Sequence, residues 1–243
     1  MSLLVIQLSA PPRTDTTPAP DDGPLAWWLS PDGLSISRQG RSAPSGFPRA
    51  DSVVAVAPAS AVAWHRPVMP KSPANRLRAA LGGLLEEQLL ADDEDVHLAL
   101  APRPSAGSPV WVAALHKAWL GTQLARLAAA QITVDRLVPA LAPLPADDPT
   151  TASAPVGHFF SLEDELGAGK LLLAIADADG AVCLPLAGGL ARSLLPSWLA
   201  RGTRWSATPA TATAAERWVG APVDVRAEAD MALAAARSTW NLL

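Results

Sequence analysis

An α/β fold in two halves is the architecture this sequence predicts, and three observations predict it. Strand-length apolar runs recur along the chain, among them Val53–Ala57 and Lys170–Ala176. In each half such runs are followed by segments whose apolar residues fall three and four apart, the period of a helix with one buried face. Between them, residues 140–155 are mostly Pro, Ala and Asp, the composition of a boundary. Strands interleaved with helices exclude a bundle or a sandwich, and no repeat of fixed period is present.

In chain order, Ser2–Leu8 reads as the first strand and Pro11–Gly23 as a Pro-rich connection. Leu25–Leu29 is a second strand, Ser30-Pro31-Asp32-Gly33 a turn and Leu34–Arg38 a third strand, with Gln39–Asp51 as loop. The unbroken run Val53–Ala57 predicts a strand covered on both faces. Val62–Val68 alternates and stops at Pro70, and Ser72-Pro73 then offers an N-cap with proline at the first helical position. The helix that follows places Leu77, Leu81, Leu84 and Leu85 on one side, and Gly82-Gly83 within it suggests close approach to a neighbouring backbone. Val96–Ala101 and Val110–Leu115 are strands, His116–Gln131 a helix, and Ile132–Val138 a strand closed by Pro139. In the second half, His158–Leu162, Lys170–Ala176 and Ala181–Leu186 are strands, the last two joined by the turn Asp177-Ala178-Asp179-Gly180. Gly189–Ala200 and Ala212–Val219 are helical, Thr203–Ala207 is a strand, Pro222–Arg226 pairs at an edge, and Glu228–Leu243 forms a last helix.

Composition narrows the function classes. The chain has 243 residues, 49% hydrophobic and 17% charged, enough for a large core and too apolar for disorder. A net charge of -4 and the absence of basic runs argue against nucleic acid as a partner. No run of 18 apolar residues occurs, and Leu3–Ile6, without a basic start, reads as a strand and not as a signal peptide. A single cysteine, Cys183, rules out an internal disulfide and suggests an inert packed thiol. Nine tryptophans stand against no tyrosine. Adjacent Trp27 and Trp28 put one ring on each face of a strand, so at least one is expected to be partly exposed.

Few motifs in the chain carry chemistry. Gly167-Ala168-Gly169-Lys170 lacks both the leading glycine, with Asp164 in its place, and the trailing hydroxyl of a phosphate loop. The histidines His65, His97, His116 and His158 are scattered, which excludes metal-ligand spacing. No Gly-x-Ser-x-Gly elbow or Gly-x-Gly-x-x-Gly fingerprint is present. The acids from Glu86 to Asp95 crowd a helix C-terminus, where the dipole disfavours them by a few tenths of a kcal/mol. They read either as a solvated loop or as charge held for a basic partner.

Leu84-Leu85-Glu86-Glu87-Gln88-Leu89, followed by Asp92-Asp93-Glu94-Asp95-Val96-His97, resembles the cytoplasmic domain of the L component of type II secretion systems. Val53–Pro58, Val68-Met69-Pro70, Ile132–Pro139 and the terminal Trp240-Asn241-Leu242-Leu243 fit the same pattern. The resemblance implies an actin-like ATPase (RNase H-like) fold: residues 1–145 form one half, with an inserted subdomain at about 58–115, and residues 146–243 the other. It implies a non-enzymatic assembly role without cofactor or metal, in which the N-terminal domain of the secretion ATPase (the E component) and the M component are partners and a homodimer is a further association. It also implies a membrane helix beyond Leu243. Read as charge held for a basic partner, Glu86, Glu87, Asp92 and Asp93 are the expected partner interface.

Hydrolytic relatives of that fold carry an Asp-x-Gly turn after the first strand of each half. The first strand here leads into Ser9-Ala10-Pro11, whereas Asp177-Ala178-Asp179-Gly180 bears a likeness to such a turn. The alternative reading is therefore an actin-like nucleotide-binding protein related to pilus-assembly or cell-division ATPases.

Overall fold

The computed structural model describes residues 1–11, 23–89, 92–145, 154–163 and 169–243. They form two compact units, Met1–Ala140 with Ala232–Leu243, and Leu141–Met231. The Pro11–Gly23 connection, the Ala140–Pro155 boundary and the Gly167 turn fall largely outside the described residues.

The first unit contains β1 (Leu3–Gln7), β2 (Leu25–Ser30), β3 (Arg38–Ser42), β4 (Ser52–Ala57), β5 (Ala63–His65), α1 (Ala74–Leu85), β6 (Val96–Leu100), β7 (Val112–His116), α2 (Lys117–Ala129) and β8 (Arg136–Pro139). Its main sheet has the order β3-β2-β1-β4-β8. The first three strands are antiparallel, and β4 and β8 run parallel to β1. Val54, Val56, Ala55 and Ala57 are all buried, as an apolar run in a strand covered on both faces should be. Between β4 and α2, strands β5, β7 and β6 make a separate three-stranded antiparallel sheet. Helix α1 packs there through Leu81 and Leu85 onto Met69, Val110 and Val112.

The second unit contains β9 (Val156–Glu163), β10 (Gly169–Asp177), β11 (Gly180–Pro185), α3 (Leu190–Ala200), β12 (Arg204–Ala207), α4 (Ala212–Val219), β13 (Asp224–Val225) and the start of α5 (Glu228–Ala236). Its sheet order, β11-β10-β9-β12-β13, repeats the plan of the first: three antiparallel strands, then two parallel to the first of them. This doubled 3-2-1-4-5 order is that of paired RNase H-like halves in the actin-like fold. Phe159 and Leu173 are fully buried against Trp198, Trp205, Ala215 and Val219, where the sheet meets α3 and α4. Trp205 lies 5.7 Å from Phe159 and 6.5 Å from Trp218, ring centre to ring centre.

Both sheets use a glycine beneath a tryptophan. Trp27 is the direct cross-strand partner of Gly40 and Trp205 that of Gly157. A Cβ on Gly40 would lie 2.9 Å from Trp27 Cζ2, and one on Gly157 would lie 2.5 Å from Trp205 Cε3 and Cζ3. Each ring occupies the space a side chain would take, the usual way an aromatic residue covers a glycine in a sheet.

Several expectations from the sequence are corrected. The third strand is Arg38–Ser42, whereas Leu34 is 71% exposed. Residues 31–37 are shaped by the Asp32 carboxylate, which accepts from the amides of Leu34 and Ser35, both at 2.8 Å. Polar Arg38, Gln39 and Arg41 suit an edge strand, where charge blocks pairing with another chain. Trp27 and Trp28 are both buried, because β2 is covered on both faces. The cap of α1 is Pro73 without a side-chain bond, so Ser72 is not its N-cap. Leu84 is 50% exposed, because Leu81 and Leu85 take the buried arc. Gly83 faces open space, with no backbone within 4 Å of its missing Cβ.

The strand at Ile132–Val138 begins only at Arg136. Residues 130–132 instead close α2: Gln131 N–H reaches Ala128 O and Ile132 N–H reaches Leu127 O, with Gln131 in the left-handed region at φ 60°. The last helix ends at Ala236: residues 237–239 turn out of it, with Arg237 and Ser238 N–H reaching Leu233 O and Ala235 O, and residues 240–242 are hydrogen-bonded to β8. Cys183 is half-buried, and burial pushes its thiol up to about 11.

Candidate functional site

The acids singled out by the sequence sit on the inserted sheet of the first unit. Glu86 and Glu87 continue from α1 and are exposed. The amides of Gln88 and Leu89 both donate to Leu85 O, so the chain turns immediately after the helix. Gln88 Oε1 lies 3.4 Å from His65 Nδ1, which ties this turn to the end of β5. Asp92, Glu94 and Asp95 are also exposed, and Asp93–Asp95 form a short 3-10 turn closed by Asp95 N–H to Asp92 O at 2.9 Å. Of Asp93 only the backbone is described. Lys117 Nζ donates to Glu94 O at 3.4 Å.

These contacts anchor the acids in two places. His65 pairs with Val112 and Val96 with His116. The anchors therefore stand at the two ends of β7, about 14 Å apart at ~3.4 Å per residue. The Glu86–Glu87 pair has the exposed Leu84 beside it on the last turn of the helix. The helical period alone places Leu84 in the core, yet it is exposed three residues before Glu87.

His97, the histidine with the most acidic neighbours in sequence, is engaged in the fold. Its Nε2 lies 2.7 Å from the carbonyl of Leu242. Leu242 is fully buried, and its N–H donates to Leu137 O at 2.7 Å. Asn241 Oδ1 accepts from Leu137 N at 3.2 Å and from Leu243 N at 3.3 Å. Arg136 reaches the carbonyls of Ala236, Ser238 and Trp240. Asp135 accepts from Ser52 Oγ and from Val53 N–H, and so brackets the start of β4. The stretch Ile132–Pro139 thus fastens both β4 and the C-terminal residues.

The turn that carries the nucleotide alternative has a different place and a different role. Asp177–Gly180 joins β10 to β11, the second and third strands of its half, rather than following the first strand. The residues after β9, 164–168, and most of those after β1 lie outside the described residues. Asp177 Oδ1 accepts from Asp179 N–H at 2.8 Å, and Oδ2 takes Arg201 Nη1 at 2.5 Å. Arg201 also stands 3.9 Å from Asp179. This carboxylate shapes a hairpin and pairs with an arginine. The equivalent turn of the first unit, Ser30–Gly33 between β2 and β3, is likewise built on an aspartate: Asp32 is held down to about 2, chiefly by the Ser35 and Leu34 amides.

His158 has the most shifted histidine environment. It lies in β9 with Nδ1 3.0 Å from Ser206 Oγ, and Ser206 Oγ is itself within 3.2 Å of Gly157 O. Desolvation, with the charge of Arg226 adding to it, lowers its pKa to about 4. Among the described residues no group of three His, Cys, Asp or Glu side chains is placed to hold a metal, and no helix is long and apolar enough to cross a membrane.

The fold is actin-like: two mixed α/β units with the same strand order, the first with a further three-stranded sheet between β4 and α2 and exposed acids beside it. The family model for type II secretion system (T2SS), protein L, matches residues 37–165, more than half of the chain. The chain belongs to that family. The cytoplasmic domain of EpsL, an inner membrane component of the type II secretion system of Vibrio cholerae, is similar in structure, with TM-score 0.61 and 19% identity over 100% of this chain and 98% of that one. A PilM–PilN type IV pilus biogenesis complex is similar at TM-score 0.52 and 14% identity, over 92% of this chain and 87% of that one. No curated protein sequence matches the chain.

Proposed function

We propose that this chain is a non-enzymatic assembly component that docks the N-terminal domain of the secretion ATPase, the E component, and joins it to the M component at the cytoplasmic face of the inner membrane. The match to protein L over residues 37–165 carries this reading. The exposed end of α1 supports it, since Leu84 at 50% exposure, with the exposed Glu86 and Glu87 just after it, offers an apolar anchor close to charge. The Asp177 turn supports it from the other side, because its carboxylate is taken up by Arg201.

Titration calorimetry with the ATPase N-terminal domain is the test: saturable binding is expected, and its absence with a cognate pair defeats the reading. Charge reversal at Glu86, Glu87, Asp92 or Asp93 separates the two anchored groups. Loss of about 1 kcal/mol or more at the first pair alone would put the interface on the α1 end, and loss at the second pair would put it on the 3-10 turn. Saturable ATP binding that Asp177→Ala abolishes would instead favour the actin-like nucleotide-binding reading.

A further inference from the structure

Two segments separated by 145 residues in sequence meet in one hydrogen bond, His97 Nε2 to Leu242 O at 2.7 Å. A carbonyl has no proton to give, so Nε2 carries the hydrogen and donates. On one side of this bond, His97 is the second residue of β6 and follows directly on the acidic turn closed by Asp95 N–H to Asp92 O. On the other side, Leu242 is locked into β8 by its own amide, and Asn241 and Arg136 brace its neighbours. Trp240 meets Trp64 of β5 edge-on at 4.9 Å. The C-terminal residues therefore tie the main sheet to the inserted sheet, and His97 is the tie nearest the acids.

We propose that His97 is a positioning residue that couples the acidic turn to the C-terminal segment. Order imposed on Asp92–Asp95 by a docked protein is passed through His97 to Leu242, and order at Leu242 is passed back by the same amount, since coupling between two sites is reciprocal. The partner half of this statement rests on the docking function proposed above. The coupling itself belongs to the free chain.

Amide hydrogen exchange on the full chain tests it, with Asp95 N–H and Leu242 N–H as probes, each held by a backbone hydrogen bond. Asn241→Ala removes a brace that His97 does not touch. It is expected to speed exchange at Leu242 and also at Asp95, by about 3- to 10-fold, the span of one net hydrogen bond. With His97→Ala added, Asp95 no longer responds, and His97→Gln, which keeps an N–H donor, recovers part of the response. An Asp95 rate indifferent to Asn241→Ala, or a response that survives His97→Ala, overturns the proposal. Should Asn241→Ala not fold, His97→Ala alone decides: faster exchange at both probes supports the coupling, and no change at either, or a change at Leu242 alone, overturns it. Adding the ATPase N-terminal domain should slow exchange at Leu242 in the wild type and not in a His97→Ala chain that still binds. A complete absence of binding defeats the docking function, while the free-chain rates still decide the coupling.

Discussion

Gly157 shows how much one residue can decide. Its Cα faces that of Trp205 across the parallel pair of β9 and β12, and the ring lies where a methyl would be, at 2.5 Å. Phe159, Trp198 and Trp218 pack against that ring with centroids 5.7, 6.3 and 6.5 Å away, so a shift of the ring presses on a neighbouring aromatic. Gly157→Ala should cost about 1–3 kcal/mol by overpacking, and Gly40→Ala less, since its nearest approach is 2.9 Å. Urea unfolding of the two variants at unchanged slope checks the order.

His158 makes a pH prediction. Its folded pKa of about 4 lies below the ordinary 6.5. Between these values the unfolded chain binds a proton that the native chain refuses, so stability rises with pH across the window. The contribution is complete above about 6.5 and lost near 4. Each tenfold difference in proton affinity between the native and unfolded chains is worth at most roughly 1.4 kcal/mol. Thermal midpoints from pH 4 to 7 should show this slope, and His158→Gln should flatten it. Nothing in the local sequence Gly157-His158-Phe159 signals the lowered pKa, because burial and the nearness of Arg226 come from elsewhere in the fold.

At the scale of elements, periodicity is a good guide where one face meets a core and a poor one at edges and ends. The helix α2 and the strands β4 and β10 follow directly from their apolar spacing. β3 does not, since an edge strand of Arg, Gln, Gly and Ser has no apolar period, and the Asp32 hydrogen bonds move the strand four residues downstream. The end of α2 shows the same limit. Gln131, which the sequence predicts as the last residue of the helix, holds a left-handed conformation that glycine adopts at no cost. Gln131→Gly should stabilise the chain by about 0.5–1 kcal/mol, read as a raised thermal midpoint, because it relieves that conformation at an exposed position. In α1 the apolar stripe counts Leu84 as core, and its exposure is what makes the end of the helix a candidate docking surface.

For the whole molecule, the C-terminal residues carry more structural weight than a helical continuation would. Trp240 and Leu242 are buried in the first unit, and the backbone there is satisfied by Leu137, Asn241 and Arg136. Removing residues 237–243 should destabilise the first unit by about 5 kcal/mol or more, the sum expected for losing a large buried tryptophan and a buried leucine. Exchange measured on peptides from both units checks whether the loss concentrates in the first.

The sequence alone determined the α/β class, most of the strands and helices, and the family pattern at Glu86–His97 and Ile132–Pro139, because each is written in neighbouring residues. Only the tertiary structure decided the doubled strand order, the division of the acids between two anchors, and the pairing of Asp177 with Arg201. It alone joined His97 to Leu242. These rest on hydrogen bonds and ring contacts between residues far apart in the chain, and such contacts leave no period in the local sequence.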